Sequence, residues 1–447
     1  MTARPHRRAA PAAATDPAGR RVTVVGLGRF GGGVGVTQWL CGQGARVTVS
    51  DLAPAEKLAD SVRQLDGLDL RLHLGGHDER DFVEADLLVV SPAVPPEAAP
   101  LAAAAAAGVP VTTEINLFLW RCPARVVGIT GTVGKSTTTA MVGEILSRRF
   151  TTHVGGNIGR SLLADLPAIA ADHVVVLELS SFQLERLGEV AIGPQVALVT
   201  NLVPNHLDRH KTFEAYADAK KNIFRFQRAD DVLVLNAADA ATAGWAGEAV
   251  GRVEYFDPAG EPFELAVVGE HNQANAQAAR AAAVQLGVDR ATAAEALAGF
   301  AGLPHRLQFV TERRGVRYYN DSKCTTPEGA IAALGAFAPR SAVMIVGGYD
   351  KGVALDSLGA ALAERAAAVV VLGATADRIA DAVADAPGPP PPVERAGDLA
   401  DAVRLARRHA DAGQAVVLSP ACASYDMFVD YEQRGQAFVA LVDRAER

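Results

Sequence analysis

An apolar run, Val126-Val127, leads through Gly128-Ile129-Thr130-Gly131-Thr132-Val133-Gly134-Lys135-Ser136-Thr137 into a helix-forming segment, Thr138 to Leu146. A strand, a glycine-rich turn and Lys-Ser at a helix start form the arrangement with which an α/β chain grips a nucleoside triphosphate. Glycines let backbone N–H groups close around phosphate oxygens. The lysine neutralises the β/γ charge and the serine hydroxyl suits Mg²⁺. The usual pattern carries a further glycine five residues before the Gly-Lys pair, and here Ile129 stands in that place. The loop reads as an ATP or GTP site; the alternative is a plain glycine-rich turn with a surface lysine.

The rest of the chain repeats the α/β theme. Arg21–Gly26 and Val47–Ser50 read as strands flanking Gly26-Leu27-Gly28-Arg29-Phe30-Gly31, a GxGxxG turn, with Asp51 about 20 positions on. That is a dinucleotide fingerprint, open to NAD(P), to another nucleotide-like ligand, or to a purely structural βα turn. Asp86–Val90 is a further strand, entering the loop Ser91-Pro92-Ala93-Val94-Pro95. Later strands are expected at Val174–Leu179, Val196–Asn201 and Val232–Asn236, then at Ala342–Val346, Ala368–Leu372 and Ala415–Leu418. Helical stretches lie between them, among them Asn272 to Leu286. Such alternation predicts mainly parallel sheets covered on both faces. The expected division is a disordered tail over 1–20, then domains over 21–124, 125–302 and 303–447.

At 447 residues the chain has room for two to four domains of roughly 100–200 residues. A net charge of −8 argues against general nucleic-acid binding, so anionic substrates need local basic groups. The cysteines (Cys41, Cys122, Cys324, Cys422) are scattered without a CxxC pair, as expected of reduced cytoplasmic thiols and not of a disulfide or zinc framework. The Ala/Pro/Arg-rich start lacks an apolar h-region, and Arg7-Arg8 followed by alanines does not make a twin-arginine signal. No run approaches the roughly 20 apolar residues of a membrane span.

Several polar residues sit where a plain core would not put them. Glu178 closes the run Val174-Val175-Val176-Leu177. A carboxylate at the carboxyl end of a buried parallel strand is costly unless it is paired or holds a metal. His206 follows the strand ending at Asn201 in the same way, as a metal ligand or as a hydrogen-bonded loop histidine. The His206/His210 spacing suits a helical metal pair, but no third His or Cys supports zinc.

Taken together these segments resemble the Mur ligase family of peptidoglycan precursor synthesis, from about Val22 to Ala437. Gly128–Thr137 matches its ATP loop, and Glu178-Leu179-Ser180-Ser181-Phe182-Gln183-Leu184 is close to the string of the glutamate-adding branch. Asn205-His206-Leu207-Asp208, Gly302-Leu303-Pro304-His305-Arg306, Asn320-Asp321-Ser322-Lys323, Leu418–Ser424 and Glu432-Gln433-Arg434-Gly435 also fit in order. The resemblance implies an α/β fold of three domains: an N-terminal Rossmann-like UDP-binding domain, a central P-loop ATPase-like domain and a C-terminal Rossmann-like domain.

It further implies an ATP-dependent amide ligase that adds D-glutamate to UDP-N-acetylmuramoyl-L-alanine through an acyl phosphate, in the cytoplasm and as a monomer. On this resemblance the GxGxxG domain holds UDP, with Gly28, Asp51, Ser91, Asn157 and His206 on the UDP substrate. ATP falls to Gly131, Thr132, Gly134, Lys135, Ser136, Thr137, Asn272, Arg306 and Asp321. Two Mg²⁺ ions fall to Ser136, Glu178, His206 and Lys220, the last as a carbamate that turns a cation into an oxygen-donor anion; without the family match Lys220 reads as a surface lysine beside Lys221. Lys323, Thr325, Lys351, Ser424 and Tyr431 fall to the amino acid. Four departures from the family pattern stand out: Ala93 for glycine, Val133 for asparagine, bulky Arg29-Phe30 in the first turn, and Tyr431 for phenylalanine. The competing readings are a relative using L-glutamate or another acceptor, a folylpolyglutamate synthase-like ligase, disfavoured by the GxGxxG domain, and a non-catalytic nucleotide switch that would not need Glu178, His206 or Lys220.

Overall fold

The structure is a computed structural model that describes residues 12–28, 31–158 and 161–444, without the side chains of residues 12, 13, 208 and 444. The first turn's Arg29-Phe30 and residues 1–11 of the expected tail lie outside the described residues. From Ala12 the expected disorder gives way to packing. Ala12–Thr15 forms a helical turn, Ala14 is buried, and Gly19 N–H donates to the Gly44 carbonyl at 2.8 Å.

Among the described residues the strands form three sheets. The first contains β1 (Arg21–Val25), β2 (Arg46–Asp51), β3 (Leu70–Leu74), β4 (Leu87–Val90) and β5 (Val111–Thr112), all parallel in the order β3-β2-β1-β4-β5. The second contains β6 (Arg125–Thr130), β7 (Thr152–Gly156), β8 (Val174–Glu178), β9 (Val196–Val199), β10 (Val232–Asn236) and β11 (Arg252–Phe256), all parallel in the order β11-β10-β9-β6-β8-β7. The third contains β12 (Gln308–Arg313), β13 (Val316–Asn320), β14 (Ala342–Gly347), β15 (Ala368–Leu372), β16 (Val393–Arg395) and β17 (Ala415–Leu418), in the order β12-β13-β17-β14-β15-β16. Here β12 and β13 form an antiparallel hairpin and the remaining pairs are parallel.

Two compact units result. Among the described residues, one comprises those from 12 to 261 with 275–293 and holds the first two sheets; the other comprises 262–274 with 294–444. Residues 262–274 and 294–302, on the near side of the expected break at 302/303, pack within the second unit. Phe309 N–H donates to the Ala301 carbonyl at 2.9 Å, and a Cβ on Gly302 would meet Val267 at 3.1 Å. In the first unit one apolar core runs from Val22 and Val24 through Leu117 and Phe118 to Val175 and Leu177. In the second, Met344 and Val346 of β14 face one core while Val343 and Ile345 face another, so the strand is covered on both sides. Ligand-binding residues are expected just beyond the carboxyl ends of such strands.

Candidate active site

β6 ends at Thr130, and the turn through Gly131 and Gly134 delivers the chain into helix Lys135–Ser147. Gly131 has φ +141° and Gly134 φ +83°. A Cβ at these positions would lie 2.0 Å from Thr200 Oγ1 and 2.3 Å from Asn275 Oδ1, so the turn is closed tightly from two sides. Asn201 clasps the tip: its Oδ1 accepts from Val133 N–H at 2.9 Å and its Nδ2 donates to the Val133 carbonyl at 3.0 Å. Val133 itself is exposed, so its departure from asparagine leaves the loop backbone held by Asn201. Lys135 Nζ donates to the Thr132 carbonyl at 2.8 Å, and Thr132 Oγ1 lies 3.0 Å from the Tyr216 hydroxyl.

Lys220 is not a surface residue. Its side chain is 1% exposed, and its Nζ donates to the Gly131 carbonyl at 2.7 Å and to Thr130 Oγ1 at 3.3 Å. Burial, joined by repulsion from Lys135 and opposed by Glu178, pushes its pKa from 10.5 down to about 7. Helix Phe213–Arg225 brings it inward through the buried positions Tyr216, Ala219, Lys220, Ile223 and Phe224. That i, i+3, i+4, i+7, i+8 spacing is legible in the sequence and distinguishes Lys220 from its neighbour Lys221, which pairs with Glu248.

Glu178 is 2% exposed at the end of β8. Its Oε1 accepts from Asn157 Nδ2 at 2.7 Å, while Oε2 is buried without a hydrogen-bond partner. A buried carboxylate oxygen with no donor, beside a lysine whose pKa burial lowers to about 7 and a phosphate loop, suits a hard divalent cation with oxygen ligands. His206, in contrast, is exposed in the left-handed region at φ +54°. Its ring lies 5.0 Å from that of Phe182. Among the described residues no three His, Cys, Asp or Glu side chains gather into one metal-binding group.

Gly28, Asp51, Ser91 and Asn157 line one cavity of about 800 Å³ in the first unit, together with Phe182 and Gln183; His206 is not on its wall. Asp51 shapes the floor, accepting from Gly28 N–H at 3.2 Å and Ala53 N–H at 2.8 Å. Ala93 has no left-handed φ, so the loop does not need glycine there.

In the second unit Thr325 and Lys351 share a cavity of about 230 Å³, with Lys351 Nζ 3.4 Å from the Thr325 carbonyl. Ser424 is buried and does not line it. Lys323 Nζ lies 5.6 Å from the centre of the Tyr431 ring instead. Asp321 is 6% exposed, accepting from Leu307 N–H at 3.0 Å and Ser419 Oγ at 2.7 Å, and burial pushes its carboxyl up to about 6. Asn272 Nδ2 donates to the Val268 carbonyl at 2.7 Å, and Arg306 is exposed. One contributor, Asn275, escaped sequence reasoning, and Arg434 stood in a matched motif without a role. Asn275 meets the phosphate loop through Thr138 Oγ1 at 3.2 Å, and the Asn272/Asn275 spacing of one helical turn is the signal that could have found it. Arg434, 1% exposed, donates to Ser322 Oγ at 2.9 Å and to the carbonyls of Ser322, Cys422 and Ala423 at 2.8–3.2 Å, joining the two loops that carry Lys323 and Ser424.

Protein-family models match this chain in three places: the Mur ligase MurD-like N-terminal domain over residues 20–113, the Mur ligase middle domain over 129–261, and the Mur ligase glutamate ligase domain over 305–422. The UDP-N-acetylmuramoylalanine–D-glutamate ligase of Symbiobacterium thermophilum is 40% identical, over 95% of this chain and 98% of that protein. Proteins of the same name from Roseiflexus sp. (strain RS-1) and Anaeromyxobacter dehalogenans are also 40% identical, over 95% and 97% of this chain and 99% and 100% of their own. Among solved structures, the UDP-N-acetylmuramate–alanine ligase of Thermotoga maritima aligns with a TM-score of 0.57 at 21% identity, over 95% of this chain and 99% of that one. That likeness is one of fold.

Proposed function

Because the chain belongs to the Mur ligase family, we propose that it joins D-glutamate to UDP-N-acetylmuramoyl-L-alanine at the expense of ATP, in the cytoplasmic stage of peptidoglycan precursor synthesis. The observation that carries the reading is the buried pair of Lys220 and Glu178 against the phosphate loop, in a chain 40% identical along nearly its whole length to ligases of that name. A nucleotide switch has no use for a buried lysine of lowered pKa and an unsatisfied carboxylate at that point. Among the described residues no helix is long and apolar enough to cross a membrane.

The chemistry follows from the difficulty of attacking a carboxylate. Its carbon is electron-rich and oxide is a poor leaving group. The alanyl carboxylate first attacks the γ-phosphorus of ATP; an O–P bond forms, the β,γ-bridging bond breaks and ADP leaves. The glutamate amine then attacks the acyl carbon, loses a proton, and expels phosphate as the C–O bond breaks. Most of the rate comes from positioning and charge neutralisation. Lys135 and the amides of Gly131–Thr137 hold the β/γ-phosphates, with Asn272, Arg306 and Asp321 assigned to the rest of ATP. Gly28, Asp51, Ser91 and Asn157 take the UDP-sugar.

Ser136, Glu178, His206 and a carbamate on Lys220 would hold two Mg²⁺ ions, which supply further neutralisation of phosphate charge. Carbamylation is balanced: the neutral amine adds to CO₂, a C–N bond forms and one proton leaves. At a pKa of about 7 roughly half of Lys220 is neutral at pH 7, against about 0.03% for an ordinary lysine.

Lys351 and Thr325 hold the glutamate carboxylates, with Lys323, Ser424 and Tyr431 in the same part of the chain. A lysine and hydroxyl donors suit two carboxylates held apart by a short chain. D-aspartate would leave one set unpaired, a loss on the order of 1–3 kcal/mol per buried group. The expected result is at least about tenfold higher kcat/KM for D-glutamate than for D-aspartate. D-glutamate should also exceed L-glutamate, because inversion with both carboxylates fixed aims the amine away from the acyl phosphate. ADP release by purified protein with the UDP substrate and each amino acid in turn tests all of this. Faster turnover with L-glutamate would keep the ligase and reverse the handedness; faster turnover with aspartate would overturn the acceptor assignment. No ADP with any amino acid would return the reading to a switch.

A further inference from the structure

One cation in the first unit touches both the cavity assigned to the UDP-sugar and the segment that carries His206. Arg209 sits in the short helix Leu207–His210, and its own N–H donates to the His206 carbonyl at 3.1 Å. Its side chain is 13% exposed. The guanidinium donates from Nη1 to the Ala93 carbonyl at 3.3 Å and from Nη2 to the Val94 carbonyl at 3.2 Å. Nη2 also donates to Glu185 Oε2 at 3.1 Å. Its central carbon lies 5.1 Å from the centre of the Phe182 ring, which in turn lies 5.0 Å from the His206 ring.

Ala93 and Phe182 both line the 800 Å³ cavity. The loop Ser91–Val94 has little slack on its far side, since a Cβ on Gly26 would meet Ser91 Cβ at 2.9 Å. Glu185 is fixed as well, its other oxygen 3.2 Å from His210 Nδ1. A ligand filling the cavity bears on two walls, the loop and the Phe182 ring, and both are in contact with one guanidinium.

We infer that Arg209 is a positioning residue that couples filling of the UDP-sugar cavity to the placement of His206. The inference rests on the proposed roles of that cavity and of His206. It needs arginine chemistry: a planar fork reaches two carbonyls, a carboxylate and an aromatic face at once, whereas an ammonium is a single compact centre. Coupling between two ligands is reciprocal and commonly amounts to fivefold or more in affinity.

The test is calorimetric binding of UDP-N-acetylmuramoyl-L-alanine with and without Mg²⁺ and a non-hydrolysable ATP analogue. In the unaltered protein the nucleotide should tighten binding by at least about fivefold. In Arg209→Lys and Arg209→Met that ratio should fall below about two, with KM for the UDP substrate raised about tenfold and the analogue's affinity measured alone changed less than about twofold. Thermal melting checks the fold, and Arg209→Lys, which keeps charge and stem, carries the test if Arg209→Met does not fold. A coupling ratio in Arg209→Lys equal to that of the unaltered protein would overturn the role, as would an unaltered protein that binds both ligands without coupling. An unaltered protein that does not bind the UDP substrate at all would instead overturn the cavity assignment beneath it.

Discussion

Lys135→Ala is expected to lower ADP release by about 10³-fold or more while leaving the protein folded. Removing one preorganised group from a developing phosphoryl charge costs on the order of 10²–10³, and a cation aimed at transferring phosphate is worth about 10³–10⁵. The stability cost should be small. Lys135 is only partly buried at the start of its helix, and the loop is closed by Gly131 against Thr200, Gly134 against Asn275 and Asn201 around Val133, none of which needs the lysine. A second consequence separates this reading from simple damage. Lys135 lowers the pKa of Lys220, so its removal should raise that pKa. Melting curves together with ADP release decide the matter; near-normal turnover in a folded Lys135→Ala protein would refute the loop assignment.

Lys220→Ala should be as inactive, and it should recover with millimolar formate or acetate. A small carboxylate brings two oxygens into the space vacated by a carbamate, beside the unsatisfied Glu178 Oε2. Normal activity of Lys220→Ala without additive would exclude the carbamate. The pH dependence has a definite sign. The folded pKa of about 7 lies below the ordinary 10.5, so between these values the unfolded chain binds the extra proton. Stability from this group therefore rises with pH across that window, and the cost of burying the amine is full below about pH 7. In CO₂-free buffer Lys220→Met should gain stability over the unaltered protein at pH 6 and gain less at pH 9. Denaturant unfolding at the two pH values measures this; an equal gain at both would mean that Lys220 is not neutralised by burial. Carbamylation itself needs the neutral amine, so a ¹³C-carbamate signal should weaken as pH falls below about 7.

What the sequence determines alone is whatever is local or covered on both faces. Strands such as Val174–Leu177, Ala342–Val346 and Ala368–Leu372 are flanked by other strands and by cores on two sides, so their apolar residues run unbroken and announce themselves. All six sheet-edge strands, β3, β5, β7, β11, β12 and β16, went unread, as did Val316–Asn320 behind β12. Edges are half exposed: Leu70–Leu74 carries Arg71 and His73, and Arg252–Phe256 mixes charge with apolar residues, so no short pattern separates them from loops. The phosphate loop was legible because its cradle is one continuous stretch of chain, with glycine at its two positive-φ turning points, Gly131 and Gly134.

Tertiary structure decided what depends on environment. Helical spacing separates the adjacent Lys220 and Lys221 by face, but it does not say what either amine meets. The fold buries one against Gly131 and leaves the other paired with Glu248, and burial, joined by repulsion from Lys135, brings the pKa of Lys220 down to about 7. Glu178 lost a donor, Asp321 became a buried tie between Leu307 and Ser419, Ser424 left the wall of the cavity that holds Thr325 and Lys351, and Arg209 joined two loops 116 residues apart. Each of these turns on which groups the packed chain places within about 3 Å of one another, a relation between distant segments that composition and spacing do not encode.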